Sequence, residues 1–146
     1  MSEKRTDREN KIYGTSENSK AVPQCESLSF AAKEAFKRLR TNVLISFQHD
    51  KSCHVIGITS AQPSEGKSTV ALNLAYSIAE LDKKVLLIDA DLRRPSLHIK
   101  TGVVQSPGLS NLLLDINSVS VGMRKYTSSD GTVSLSIIPG GDIPPK

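Results

Sequence analysis

From Leu28 to Phe47 the apolar residues Leu28, Ala32, Phe36, Leu39, Val43 and Phe47 return at steps of three and four. That spacing lays them along one face of a helix, predicted over about residues 28–48. Lys33, Glu34, Lys37, Arg38 and Arg40 fill the remaining surface, and Glu34 stands four residues before Arg38, the favourable order for an ion pair. A solvated face and an interface are both open readings of this charge run. Next, Val55-Ile56-Gly57-Ile58-Thr59 is a short β-branched run and predicts a strand buried on both faces. A helical stripe resumes with Val70, Ala71, Leu74, Ala75, Ile78 and Leu81. Lys83-Lys84 interrupts it, and Val85-Leu86-Leu87-Ile88 predicts a second, fully apolar strand. Strand, helix and strand within about 35 residues make a right-handed βαβ unit, hence a parallel sheet.

Past Asp91 the pattern weakens. Leu92–Gln105 is basic and irregular and predicts a surface loop, whereas Gly108–Leu114 predicts one short helix. Val133–Ile138 alternates and then turns apolar, which predicts a third strand. Gly140–Lys146 is turn-rich and carries no terminal element. Residues 1–24 are polar, with few apolar anchors, and predict a disordered arm.

The chemistry sits at the joint between the first strand and the second helix. Ala61-Gln62-Pro63-Ser64-Glu65-Gly66-Lys67-Ser68-Thr69 has the form G-x-x-x-x-G-K-[ST], with Ala61 where the first Gly is usual. In such a P-loop, backbone N–H groups and a helix N-terminus form an anion nest. Gly66 lets the backbone approach phosphate without a Cβ in the way. Lys67 reaches the β- and γ-phosphates, Ser68 offers a hydroxyl to Mg²⁺, and Thr69 supports the α-phosphate. The second strand then ends in Asp89-Ala90-Asp91, at the sheet edge where ligands of open α/β sheets bind. Strand alternation predicts that both carboxylates project to the same side, to hold Mg²⁺ or accept a proton. Arg93 and Arg94 follow, and carboxylate, phosphate or interface partners all suit them.

Composition narrows the class. The 146 residues suffice for one domain, with 38% hydrophobic and 23% charged residues as in a globular protein. No apolar run approaches a membrane span, and the N-terminus lacks a signal-like apolar stretch, so the cytoplasm is the expected compartment. The charge is +4, but basic residues are interspersed with acidic ones, and 4% aromatic residues with no Trp offer little to stack on bases. Nucleic-acid binding is not expected. Cys25 and Cys53 have no CxxC spacing and are expected as reduced thiols, and the three scattered histidines do not suggest a zinc site.

Residues Thr59–Thr69 and then Val85-Leu86-Leu87-Ile88-Asp89-Ala90-Asp91-Leu92-Arg93-Arg94-Pro95 resemble the Walker A and Walker A′ motifs of bacterial tyrosine kinases, cytoplasmic enzymes of capsular and exopolysaccharide biosynthesis. Glu34–Asn42 resembles that family's E-x-x-R-x-x-R interface helix, with Lys37 in place of the first Arg. Ile137–Pro145 resembles the stretch before its substrate-side helix. The resemblance implies an α/β fold of the P-loop NTPase type, a mainly parallel sheet flanked by helices, with residues 25–146 forming the N-terminal part of the kinase domain. It implies ATP and Mg²⁺ as cofactors and phosphoryl transfer to tyrosine, often on a neighbouring subunit. Residues Gln62, Pro63, Ser64, Glu65, Gly66, Lys67, Ser68 and Thr69 would hold the nucleotide. Lys67 would stabilise transferred charge, Ser68 and Asp91 would serve Mg²⁺, and Asp89, also a candidate metal ligand, would be the base. Glu34, Lys37 and Arg40 would mediate self-association, and a membrane-spanning activator would hold the protein at the inner face of the membrane.

The family's Walker B strand and tyrosine-rich tail are not found in this sequence, so a truncated sheet with weak or absent turnover is expected. Two other functions fit the same motifs. One is an ATPase switch of the ParA/MinD type, disfavoured because Gln62 occupies the position of that class's signature lysine. The other is a non-catalytic module that binds nucleotide or docks to the activator.

Overall fold

The structure, a computed structural model, describes residues 25–47, 53–115 and 122–143. The arm expected over 1–24 lies outside the described residues. Helix α1 spans Phe30–Ser46, and its first turn is capped by the Ser29 hydroxyl, which accepts the Ala32 N–H at 3.3 Å. Leu28, Ala32, Phe36, Val43 and Phe47 are half-buried on the expected face, but Leu39 is exposed and no residue of α1 is fully buried. Among the described elements its main neighbour is α2 (Lys67–Ala79). Arg40 makes that contact specific: its guanidinium donates to the Ser77 carbonyl and pairs with Glu80 at 3.3 Å. The expected Glu34–Arg38 pair is replaced by Glu34–Lys37 at 2.9 Å, one residue earlier on the same ridge.

Three strands follow: β1 (Leu86–Ile88), β2 (Arg124–Thr127) and β3 (Ser134–Ile138), in the order β1-β3-β2. β1 runs parallel to β3, with Leu87 opposite Ile137, and β2 runs antiparallel to β3, with Tyr126 opposite Leu135. The sheet is therefore mixed. β2 gives almost no sequence signal because Tyr126 is its one apolar residue; it pairs with β3 through a hairpin closed at Asp130. Hydrogen bonds from the Ser128 hydroxyl and from Thr132 hold the Asp130 carboxyl at about 2. Among the described residues between β1 and β2 lie the short helices α3 (Leu97–Thr101) and α4 (Leu109–Leu114). α4 falls where the sequence predicts a helix. α3 lies within the stretch expected as a loop, anchored by the buried Leu97 and Thr101.

Three buried faces meet in one core. α2 contributes Leu72, Ala75 and Ala79, the sheet contributes Leu87, Tyr126, Leu135 and Ile137, and Leu97 and Cys25 close the ends. The expected stripe holds at its centre, where Leu74 and Ala75 are buried, but its ends Val70 and Leu81 are exposed and Leu72 and Ala79 are buried as well. α2 is covered on two sides, by α1 and by the sheet, so the apolar stripe alone does not identify the packed face. β1 is covered on one face only, leaving Leu86 49% and Ile88 45% exposed.

The expected strand Val55–Thr59 is not formed. Val55 is 92% exposed, and no strand among the described residues pairs with this run. β-Branched side chains favour an extended chain, but a strand is stabilised by the neighbour it bonds to and packs on. Here β3 rather than residues 55–59 lies beside β1, so the βαβ unit expected across 55–88 is absent. The segment is tied at its start by stacking of Phe47 on His54, with ring centres 4.2 Å apart. No described helix is long and apolar enough to cross a membrane.

Gly108 tests the packing of α4. Leu109 N–H donates to Pro139 O at 2.7 Å and Ser110 N–H to Gly140 O at 3.0 Å. A Cβ on Gly108 would lie 2.3 Å from the Pro139 oxygen and 2.5 Å from the Gly141 nitrogen. Gly108→Ala should therefore destabilise the chain by about 1–3 kcal/mol through forced backbone displacement. Gly57→Ala, where nothing lies within 4 Å, should stay within about 0.5 kcal/mol of the parent. Urea midpoints compare the two, and indistinguishable midpoints would contradict the α4 packing.

Candidate functional site

The loop ahead of α2 is shaped by its own side chains. Ser60 Oγ donates to Gln62 O at 2.9 Å, and Gln62 N–H donates to Glu65 Oε2 at 3.0 Å. Ser64 (φ 66°) and Gly66 (φ 92°) both adopt the left-handed conformation. That conformation is uncommon for a residue with a side chain and marks a backbone held for a purpose. Left-handed residues in a tight loop turn successive N–H groups toward one concavity. Pro63 has no N–H and contributes shape alone. Gly66 caps α2, and nothing lies within 4 Å of where its Cβ would be. The Cβ side of Gly66, at the start of a 13-residue helix with no acidic residue in its first turn, is open, and a helix start of this kind suits a phosphate.

Lys67 and Asp91 meet beside this opening, with Nζ 2.7 Å from Oδ2 and side chains 30% and 25% exposed. The Lys67 ammonium is the main cause that holds the Asp91 carboxyl below its ordinary value of 3.8; N–H donation from Arg94 to Oδ1, at 3.0 Å, adds to it. Ser68 and Thr69 are half-buried in the same turn. Arg93 and Arg94 are exposed at the rim.

Asp89 behaves differently. It is 4% exposed, and its oxygens accept three backbone N–H groups: Asp91 at 3.2 Å, Ser96 at 2.9 Å and Leu97 at 3.0 Å. Its own N–H continues the sheet ladder to Ile138 O at 2.9 Å. The expectation that Asp89 and Asp91 project to one side fails because β1 ends at Ile88, and strand alternation ends with it. One carboxylate turns inward and fastens the following loop. The other turns toward Lys67.

The loop so fastened leads into α3, from which Lys100 Nζ reaches Thr69 Oγ1 at 3.1 Å. This contact has no motif to announce it; the only sequence cue is that Lys100 lies three residues after Leu97, on the face of α3 that packs inward. The Gly140–Gly141 turn completes the rim. A Cβ on Gly140 would lie 2.4 Å from Pro95 Cβ, so this turn packs directly on the loop after Asp91. The site thus occupies the C-terminal ends of the parallel pair β1 and β3, the edge where such sheets receive ligands.

Donors and acceptors present here suit a nucleotide polyphosphate with Mg²⁺: an open cradle of amides, one ammonium, a hydroxyl at Ser68 and one accessible carboxylate at Asp91. Magnesium is typically bound through one or two carboxylates plus phosphate oxygens.

Comparison with known proteins agrees with this geometry. Residues 51–126 match the family described as ParA, NUBPL iron-transfer P-loop NTPase. The chain is 39% identical over 113 residues to tyrosine-protein kinase YwqD of Bacillus subtilis, covering 77% of the chain and 46% of that protein. It is 32% identical over 114 residues to tyrosine-protein kinase CpsD of Streptococcus agalactiae, covering 78% of the chain and 47% of that protein. Among solved structures it matches the kinase domain of Escherichia coli tyrosine kinase ETK with a TM-score of 0.73 and 28% identity, over 93% of this chain and 53% of that one. The chain spans about half the length of the relatives it matches. It belongs to the ParA-type P-loop NTPase family, and its homologues are named as bacterial tyrosine-protein kinases.

Proposed function

We propose that this chain is the nucleotide-binding part of an ATP-dependent, autophosphorylating protein-tyrosine kinase that regulates capsular or exopolysaccharide biosynthesis. The observation that carries the reading is the 2.7 Å contact between Lys67 and Asp91, which joins the P-loop lysine to the acid after the next strand. The reaction moves the γ-phosphoryl group of ATP to a tyrosine hydroxyl through a loose transition state, so positioning and charge stabilisation dominate the catalysis. Amides of residues 64–66 and of the first turn of α2 cradle the phosphates, and Thr69 supports the α-phosphate. Lys67 leaves Asp91 for the β- and γ-phosphates and offsets charge on the transferred group. Ser68 and Asp91 would hold Mg²⁺, which when bound would supply charge neutralisation to the phosphates. Asp89 is a positioning residue rather than the base, since all three bonds to its carboxylate serve the backbone.

The finer partners follow from the same reading: a membrane-spanning activator, tyrosine substrates and self-association through the Glu34–Arg40 helix. Arg40 already ties α1 to α2, so Glu34 and Lys37 are the residues of that trio better available to a second subunit. A non-catalytic nucleotide-binding role has one observation in its favour, the unpaired and exposed run at 55–59 ahead of the P-loop. For this reason the chain by itself should bind nucleotide and turn over weakly.

Binding, phosphoryl transfer and stability each test the site. Lys67→Met should weaken ADP binding, read by calorimetry, by at least about tenfold, the loss of a charged hydrogen bond. Radiolabel transferred from ATP should appear on tyrosine; label on serine alone would rule out the kinase class. Asp91→Asn frees Lys67, so Mg²⁺-free ADP should bind at least as tightly as to the parent, while the gain on adding Mg²⁺ disappears. An undiminished Mg²⁺ effect would remove Asp91 from the metal site. The ion pair also sets a pH dependence in the nucleotide-free form. Because the Asp91 pKa is depressed below 3.8, its contribution to stability is complete above the ordinary carboxylate range and is lost as pH falls through the depressed value. Asp89→Asn turns an amide N–H toward backbone donors and should destabilise by about 1–3 kcal/mol, whereas Asp91→Asn should lie within about 1 kcal/mol of the parent at pH 7. Equal losses in urea would erase the division of roles between the two acids.

A further inference from the structure

Thr69 is held from two sides. Its carbonyl accepts Asn73 Nδ2 at 2.7 Å, and its hydroxyl oxygen lies 3.1 Å from Lys100 Nζ. The lysine has a fixed origin. At the N-terminal end of α3, Asp89 accepts the N–H groups of Ser96 and Leu97. At the other end Gly102 (φ 74°) donates its N–H to His98 O at 2.9 Å and closes the helix. Leu97 and Thr101 are buried, and Lys100 shares the Leu97 face, which turns it toward α2 rather than into water.

An ammonium can only donate, so in this contact the Thr69 oxygen is the acceptor. The hydroxyl hydrogen is then left to point away from Lys100, and an anion held over the first turn of α2 would offer it an acceptor. A hydroxyl that accepts from a cation is also polarised into a stronger donor. We propose that Lys100 is a further nucleotide-positioning residue, which orients the Thr69 hydroxyl so that its O–H donates to the α-phosphate of a nucleoside di- or triphosphate. This inference rests on the nucleotide-binding reading given above and adds to it a residue outside the P-loop and the paired aspartates. Through it α3 transmits the anchoring at Asp89 to the phosphate end of the site.

Calorimetry on the whole chain separates this relay from a plain structural or charge effect. Lys100→Met should weaken ADP binding about tenfold. Thr69→Val should weaken ADP binding to a similar degree, and the double variant should lose no more than either single one, since both remove the same bond. Lys100→Arg should recover part of the loss. Inorganic pyrophosphate, which can occupy the Lys67 side of the loop without an α-phosphate ester, should bind Lys100→Met as it binds the parent. Losses that multiply in the double variant, parent-like ADP binding by Lys100→Met, or equal weakening toward pyrophosphate would each overturn the proposal. If the parent itself bound neither ADP nor pyrophosphate, the nucleotide reading would fail first and this inference with it.

Discussion

The carboxylate of Asp89 joins the sheet to everything that faces the phosphate loop. A buried carboxyl group is unfavourable unless its oxygens find hydrogen-bond donors, and here three backbone N–H groups supply them. Those amides come from Asp91, Ser96 and Leu97, so one side chain fixes the start of the loop and the entry to α3 together. The N–H of Asp89 is meanwhile bonded to β3. Asp91, Lys67, Thr69 and Lys100 inherit their geometry from that anchor. Asp91 can face Lys67 because its neighbour faces away, and Lys100 can reach Thr69 because α3 is held at its first turn.

The parts of the fold that are legible in the sequence are those in which local chemistry is sufficient. A glycine at a left-handed helix cap, a lysine after it and a hydroxyl next specify a phosphate loop without tertiary help, and Gly66 takes the backbone conformation such a loop requires. α1 is legible from its period and α4 from a short apolar run. What escapes depends on partners. Residues 55–59 have the composition of a strand, but pairing is a property of two segments, and β3 lies against β1 instead. β2 carries almost no apolar signal and exists because β3 offers it a ladder. α3 has five residues, too short to nucleate alone, and forms through the Asp89 cap and the burial of Leu97. The paired aspartates show the limit most clearly. Their chemistry is legible, yet their directions are not, because strand alternation does not continue past the end of the strand.

Arg40 shows a related limit on the surface. A basic residue in a motif associated with subunit contacts is expected to face a neighbour, but its guanidinium reaches across to the carbonyl of Ser77 and to Glu80. The half-buried face of α1 provides little hydrophobic attachment to α2. A charged tether therefore matters more here than it would on a well-buried helix. The same side chain cannot make this tether and a fully extended intermolecular contact at once, so an association that used Arg40 would compete with the docking of α1.

The charge arrangement around α2 explains why the site needs a metal as well as an anion, on the proposed reading. Cations at a helix N-terminus are unfavourable by about 0.3–1 kcal/mol each in the absence of counter-charge, and both Lys67 and Lys100 bear on the first turn of α2. In the nucleotide-free form the chain supplies its own anions: Asp91 engages Lys67, and Glu65 accepts the Gln62 amide. A phosphate entering the loop takes Lys67 from Asp91 and leaves that carboxylate partly buried without its partner. On that reading Asp91 would hold a divalent cation, whose charge would restore the balance that the lysine gave up. Binding of nucleotide and of Mg²⁺ are thereby coupled through one displaced ion pair, and the coupling exists only because Asp89 holds Asp91 where both partners can reach it.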